Sequence, residues 1–276
     1  METSESRKTP RQLLEELGIT RPEEIDVEVI AYTCGATTRY ADLTGSEATL
    51  VGMGDKAIIT VREQSSRVRK RFSVGHELGH WIRDRGSVAF SCKESDLDIS
   101  AIGRARERNA NEFASDLLLP AYLFDPIAQG RSLDLETLRD MAERFRTSLT
   151  ATSIKLVRRG SYPAVLASYK SGRRAWYIRG DSVPPKFAPL ESLDRSTGAA
   201  SADSDQGSED ICADRWFDHE HSRRYEVRES WFRTTSDSVV ALIWWEDEQQ
   251  LLDFEEEEQD YELRRERSSW DPFERF

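Results

Sequence analysis

The stretch SVGHELGHWI, residues 73–82, places two of the chain's four histidines four positions apart, with a glutamate directly after the first. In an α-helix, residues i and i+4 share one face about 6 Å apart, so His76 and His80 can direct both imidazoles at one metal ion. Glu77 then points beside the ion, where a carboxylate can accept a proton from water. The spacing predicts two metal ligands and a general base, although a helix with two ordinary polar histidines has the same pattern.

A third ligand would separate these two interpretations, because a catalytic zinc site usually has three protein ligands and one open position. The stretch RARERNANEFASDLLLP, residues 104–120, has apolar residues at helical spacing. Glu107 lies on the inward flank of this predicted helix, next to two alanines that would allow close helix packing. Gly75 and Gly79 offer a matching small surface on the first helix.

The two stretches together resemble the ImmA/IrrE family of metallopeptidases. The resemblance rests on RFSVGHELGHWI, residues 71–82, and on ERNANEFASDLLLP, residues 107–120. It extends to the flanking helices and strands, over about residues 10–160. Beyond residue 160 the chain shows no such similarity.

The resemblance implies a role for each matching residue. The glutamate of the family motif E-x-x-A-N-x-F-A is the third metal ligand, which implies Glu107 here. His76 and His80 would be the other two ligands, Glu77 the general base and Zn²⁺ the cofactor.

The resemblance also implies a narrow-specificity endopeptidase that cleaves a helix-turn-helix, Xre-like transcriptional repressor. Such cleavage would induce stress-response, mobile-element or phage-defence genes. One alternative is a catalytically silent regulator that binds DNA or protein through the same fold and does not need Glu77. Another is an enzyme that hydrolyses a small non-peptide amide in an enclosed pocket.

The predicted architecture is an α+β fold in which a zincin-like helical metallopeptidase domain with a short β-sheet precedes a small β-containing domain. A GAF-like fold is one interpretation of that second domain, which would act as a sensor or docking platform. A Ser-, Asp- and Gly-rich stretch within it predicts a disordered insert. The predicted parts are a flexible tail (1–9), the metallopeptidase domain (10–125), a helix-turn-helix-like segment (126–160) and the C-terminal domain (161–276) with its insert (192–214).

The composition favours a cytoplasmic protein. Three scattered cysteines give no disulfide framework, which favours a reducing compartment. The polar opening lacks the apolar core of a secretory signal, and no apolar run approaches the roughly 18 residues of a membrane span. Residues 1–160 carry 24 Lys and Arg against 25 Asp and Glu, so nearly all of the net charge of −12 lies beyond them.

The segment LETLRDMAERFRTSLTATSIKLVRRG, residues 135–160, has the pattern of a helix-turn-helix. Lys155, Arg158 and Arg159 add positive charge, but an acidic chain opposes DNA binding overall, so packing or partner docking is favoured. Further arginines flank the H-E-x-x-H helix and predict either a basic rim or ordinary solvated helix faces. The rim would recognise an acidic substrate or a nucleic-acid effector, and a small-molecule effector is also open.

Three further residues have metal-binding side chains. Cys92 lies between the two ligand helices, where its thiolate could fill the fourth metal position and hold the enzyme inactive. An inert, half-buried thiol is the alternative interpretation. His219 and His221 in the stretch DHEH could share one face of a strand and bind a metal, but a loop is favoured there.

A hairpin is predicted within ATLVGMGDKAIITV, residues 48–61, with its turn around residues 52–55. Its second strand, Ala57–Val61, is the predicted edge that holds an extended substrate, with a hairpin that merely covers a helix as the alternative. Tyr40, Tyr122 and the nearby arginines are all open as stabilisers of the oxyanion.

Overall fold

The computed structural model describes residues 8–84, 101–159, 162–201, 204–218, 222–253 and 256. These residues form two compact units. The first unit holds the chain up to Gln129 together with Arg139–Thr152, and the second holds Gly130–Leu138 together with the chain from Ser153 onward. The segment 126–160, predicted as one part, is therefore shared between the two units.

Helices make up most of the first unit, and side-chain caps determine where several of them begin. Thr9 and Gln12 form a reciprocal capping box at the start of the first helix, where Pro10 occupies the first turn. Asp26 caps the second helix by accepting from the backbone N–H groups of residues 28 and 29. The helices are α1 (Pro10–Glu16), α2 (Val27–Thr33), α3 (Arg67–Asp84), α4 (Ala101–Leu118), α5 (Ala121–Ala128), α6 (Leu135–Phe145) and α7 (Leu149–Arg158). The division between the units falls within α6 and within α7.

A three-stranded sheet accompanies these helices in the first unit. Its strands are β1 (Ala36–Ala41), β2 (Ala48–Met53) and β3 (Lys56–Arg62), in the order β1-β3-β2. The predicted hairpin is confirmed as the antiparallel pair β2–β3, and Gly54 supplies the positive φ of its turn.

The prediction that Ala57–Val61 forms an edge strand was wrong. Strand β1 pairs in parallel with the side of β3 that the hairpin leaves open, so β3 lies in the middle of the sheet. A hairpin signal is local and does not reveal a third strand that joins from elsewhere in the chain. The edges of this sheet are β1 and β2.

The second unit is built on a five-stranded antiparallel sheet. Its strands are β4 (Ala164–Lys170), β5 (Arg173–Arg179), β6 (Gln206–Cys212), β7 (Glu226–Thr235) and β8 (Ser238–Trp244), in the order β5-β4-β8-β7-β6. Strands β4 and β5 form an antiparallel hairpin, and Ser171 and Gly172 both take positive φ in its turn. Aromatic side chains, including Trp216 and Trp245, pack with aliphatic ones in the buried core of this unit.

The prediction of a disordered insert at 192–214 was wrong where strand β6 forms. Residues 206–212 pair with β7 along their whole length, although their side chains are small, polar or half-exposed. Gly207 allows the Trp231 ring to pack directly against the backbone of β6, because a Cβ at this position would lie 2.4 Å from the ring. The polar composition predicted disorder, whereas backbone pairing and the aromatic contact stabilise a strand.

An α+β fold with a β-containing second part is thus confirmed, while the GAF-like interpretation stays a prediction. Among the described residues, no helix combines the length and apolar character that a bilayer crossing requires. Several predictions fall on residues outside the described ranges: Cys92, His219, His221, most of the tail 1–9 and nearly all of the chain after residue 253.

Candidate metal centre

Two helices of the first unit bring three metal-binding side chains together. His76 and His80 lie one turn apart on α3, with their Nε2 atoms 3.2 Å apart. Glu107 reaches both from α4, with Oε2 3.3 Å from His76 Nε2 and Oε1 3.2 Å from His80 Nε2. The predicted ligand trio is therefore one cluster.

Small residues where α3 and α4 pack allow this approach. A Cβ added to Gly79 would lie 3.1 Å from the Cβ of Phe113 and 3.2 Å from the Cα of Ala110. At Gly75 an added Cβ would meet Ala114 Cβ at 3.4 Å, which is ordinary contact. Gly79 is thus the tighter point, and it lies directly beside His80 in the sequence.

The spacing of the ligand atoms fits a tetrahedral metal ion. Zinc binds nitrogen and carboxylate oxygen at about 2.0–2.1 Å, so two ligand atoms on a tetrahedral zinc are about 3.3 Å apart. The three observed separations are 3.2, 3.3 and 3.2 Å. Two imidazoles with one carboxylate also form a donor set that zinc accepts in catalytic sites.

The cluster is buried on its α3 side and open on its α4 side. The His80 side chain is 5% exposed, that of His76 is 18% exposed and that of Glu107 is 45% exposed. Burial, and after it the neighbouring His80 imidazole, lowers the pKa of His76. Both effects favour the neutral imidazole, which is the form that binds metal ions.

Glu77 follows His76 on α3 and is 4% exposed. The helix therefore fixes this carboxylate next to the ligand cluster, as the H-E-x-x-H spacing predicts. Its role as general base is a proposal, because position alone does not demonstrate proton transfer.

Sequence reasoning missed one residue of the site. Asn111 Oδ1 lies 3.0 Å from Nδ1 of His76, on the side of the ring opposite the metal-binding nitrogen. Asn111 follows Glu107 by one helical turn on α4, so the i, i+4 spacing alone could have placed both side chains on the same face.

The hydroxyl groups considered for oxyanion stabilisation have other partners. Tyr40 donates to the Glu28 carboxylate, and Tyr122 donates to the carbonyl oxygen of Ile19 at 2.8 Å. Two flanking arginines also have local partners: Arg69 lies 3.6 Å from Glu47, and Arg71 donates to the Ile25 carbonyl. These contacts favour the interpretation of ordinary helix faces over a continuous basic rim.

A surface cavity of 740 Å³ lies at the start of α3 and not at the ligand cluster. Its lining is polar and includes the ion-paired side chains Glu47, Arg62 and Arg69. None of the three metal-binding residues lines it. The cavity and the histidine–glutamate cluster are therefore separate features of the first unit.

The α+β fold and the His/His/Glu cluster on two packed helices define a zincin-like domain. Residues 32–157 match the family model of the M78 peptidases, described as the IrrE N-terminal-like domain. The match confirms the resemblance of residues 32–157 to the ImmA/IrrE family, and it covers a little under half of the chain. The matched range contains His76, Glu77, His80, Glu107 and Asn111.

Two other comparisons bear on the whole chain. The structure is similar to that of a Mycobacterium tuberculosis transcriptional regulator, with a TM-score of 0.56 and 16% sequence identity over 84% of this chain and 73% of that one. At this identity the similarity shows the fold alone. A comparison with curated proteins finds no match.

Proposed function

We propose that the chain is a zinc-dependent endopeptidase of narrow specificity that cleaves a helix-turn-helix, Xre-like transcriptional repressor. The observation that carries this proposal is the convergence of His76, His80 and Glu107 with the spacing of tetrahedral ligands, beside a buried Glu77. Cleavage would induce stress-response, mobile-element or phage-defence genes. The match of residues 32–157 to the M78 peptidase model supports a peptidase of this kind.

The three clustered residues would hold the ion, and Glu77 would move protons. Zinc in such a site polarises the scissile carbonyl and lowers the pKa of a water molecule to about 7. Glu77 accepts a proton from the attacking water while the new C–O bond forms. The same carboxyl group then donates that proton to the leaving amine as the C–N bond breaks. General acid–base catalysis of this kind contributes about 10²- to 10⁴-fold.

The corrected strand order changes the proposed substrate edge. Since β3 is paired on both sides, an extended peptide can add only to β1 or β2. Strand β2 is the better candidate, because its Gly52 lies against Trp81 of the H-E-x-x-H helix. Val51 and Met53 on this strand are exposed and could contact apolar side chains of a substrate.

The experiment that tests the proposal compares the parent chain with Glu77→Gln. Both proteins are incubated with the repressor encoded nearest this gene, and their metal content is determined. We expect the parent to cut the repressor at one exposed linker while leaving casein largely intact, and we expect the variant to bind zinc without cutting. Repressor cleavage of equal rate by both proteins would contradict the assigned role of Glu77.

A catalytically silent regulator is the second candidate, and one observation favours it: the structural similarity to a protein titled a transcriptional regulator. Direct DNA recognition through α7 has less support, because Thr152, Ser153 and Lys155 on that helix are buried. A recognition helix must expose the side chains that reach the bases. Zinc binding without cleavage of any tested repressor would favour the silent regulator that binds protein.

The second unit would then sense a signal or dock a partner, and a cytoplasmic location is part of the same proposal. Support for such a role comes only from its place after the peptidase domain. Its buried aromatic core identifies no ligand among the described residues.

A further inference from the structure

Two side chains of α4 contact opposite nitrogens of the same imidazole. Glu107 Oε2 lies 3.3 Å from Nε2 of His76, and Asn111 Oδ1 lies 3.0 Å from Nδ1. The ring of His76 is thus held between two residues that are one helical turn apart. His76 is also the more exposed of the two histidines, so packing restrains it less than it restrains His80.

The chemistry of these contacts determines which nitrogen carries the proton. A neutral imidazole has one N–H donor and one bare nitrogen, and the amide oxygen of Asn111 can only accept. When Nδ1 donates to Asn111, Nε2 is left with a lone pair directed at the cluster. The opposite tautomer would point an N–H at the metal position.

We propose that Asn111 is a positioning residue for the metal centre, and this inference rests on the proposed function. Its side-chain oxygen accepts the Nδ1–H of His76 and so fixes both the tautomer and the rotation of the ring. Nε2 of His76 then lies where Glu107 and Nε2 of His80 converge. Outer contacts of this kind typically change metal affinity by about 10- to 100-fold.

Three variants test the inference through zinc affinity, measured by competition with a chromophoric chelator. Asn111→Ala removes the acceptor and should weaken zinc binding about 10- to 100-fold. Asn111→Asp keeps an acceptor oxygen and should restore affinity to within about threefold of the parent. Glu112→Ala is the matched control, because Glu112 is the neighbouring exposed residue on α4 and should leave affinity unchanged. Circular dichroism checks that each variant is folded.

A second readout does not depend on the metal. Nitrogen-15 NMR of histidine side chains in metal-free protein should show His76 protonated at Nδ1 in the parent and as a mixture of tautomers in Asn111→Ala. An affinity for Asn111→Ala equal to that of Glu112→Ala, or Nε2 protonation in the parent, would overturn the inference. If the parent itself binds no zinc, the proposed function fails, and the NMR spectra then decide the role of Asn111 alone.

Discussion

Each unit of the molecule contains a cluster of polar groups that is at least partly buried, and the two clusters are built in opposite ways. In the first unit, Nε2 atoms of His76 and His80 and both carboxylate oxygens of Glu107 face one another. In the second unit, the fully buried Glu229 on β7 meets donors. Its Oε2 accepts from Trp216 Nε1 at 2.6 Å, and its Oε1 accepts from the backbone N–H of Ala199 at 3.2 Å.

The difference is between a buried carboxylate whose hydrogen-bond donors are supplied by the fold and a group of side chains whose spacing suits a metal ion. Buried polar atoms are costly unless a partner of opposite character meets them. Glu229 finds these partners within its own unit. The histidine–glutamate cluster gathers atoms that can all donate electron pairs, which is the arrangement of a metal site.

Among the variants that test the contrast between the two clusters, Glu107→Ala is expected to have the largest effect, which is on zinc affinity. Removing one of three ligands should weaken zinc binding by roughly a thousandfold, since tight zinc sites bind with about 10–16 kcal/mol in total. The half-exposed position of Glu107 makes misfolding a small concern. Chelator competition gives the affinity, and Glu229→Ala serves as the control that should bind zinc like the parent. Unchanged affinity in Glu107→Ala would remove this residue from the ligand set.

Glu229→Ala should instead lower the free energy of unfolding, by about 3 to 4 kcal/mol. The substitution leaves the Trp216 indole and the Ala199 amide as buried donors without their acceptor. Urea denaturation followed by tryptophan fluorescence measures this, because Trp216, Trp231 and Trp245 all lie in the second unit. A loss below about 1 kcal/mol would mean that these donors find new partners.

The pH dependence of stability should also distinguish the second cluster. Burial raises the pKa of Glu229 from 4.5 to about 7. Between these two values the unfolded chain loses this proton while the folded chain keeps it, so the free energy of unfolding falls as pH rises. The fall due to Glu229 reaches about 3 kcal/mol and is complete above pH 7.

Glu229→Gln removes this titration and isolates its contribution. From pH 4.5 to pH 7.5, the free energy of unfolding of the parent should fall relative to that of Glu229→Gln. Urea denaturation of both proteins at each pH measures this difference. Parallel pH profiles would show that Glu229 titrates in the folded chain as it does in the unfolded chain.

The smallest effect is expected at the glycines between α3 and α4. Gly79→Ala must push Phe113 or Ala110 away, which costs about 1–3 kcal/mol, while Ala in place of Gly gains about 1 kcal/mol of helix propensity. Gly75→Ala gains the same propensity with ordinary contacts and should be neutral or slightly stabilising. Thermal unfolding gives the stability of both glycine variants, and chelator competition gives their zinc affinity. A weaker zinc affinity in Gly79→Ala than in Gly75→Ala would show that the close packing at Gly79 also positions Glu107.

The sequence was most informative where spacing along one helix determines position. His76, Glu77 and His80 follow from helical geometry, and Glu107 follows from its place on an apolar-periodic helix. Their grouping appears in the structure as predicted, although zinc binding and catalysis stay predictions. Asn111 was missed because a contact with Nδ1 of His76 depends on how two helices pack.

Long-range pairing explains the remaining errors. The central position of β3 depends on β1, which precedes the hairpin in the chain and joins it in parallel. Strand β6 depends on its pairing with β7 and on Trp231 lying against Gly207, so its polar composition predicted a disordered loop. Burial of Glu229 likewise depends on neighbours that a single strand does not reveal.

The interleaved path of the chain has a practical consequence for dissecting it. Residues 130–138 belong to the second unit, where the Leu133 carbonyl accepts from Ser230 and the Leu135 amide donates to Ser208. A protein shortened at residue 160 would keep these leucines and lose the strands that they bond to. No single cut releases either unit intact, so a peptidase fragment made in this way would expose the side chains of Leu133 and Leu135, which are buried in the full chain, and we expect it to aggregate.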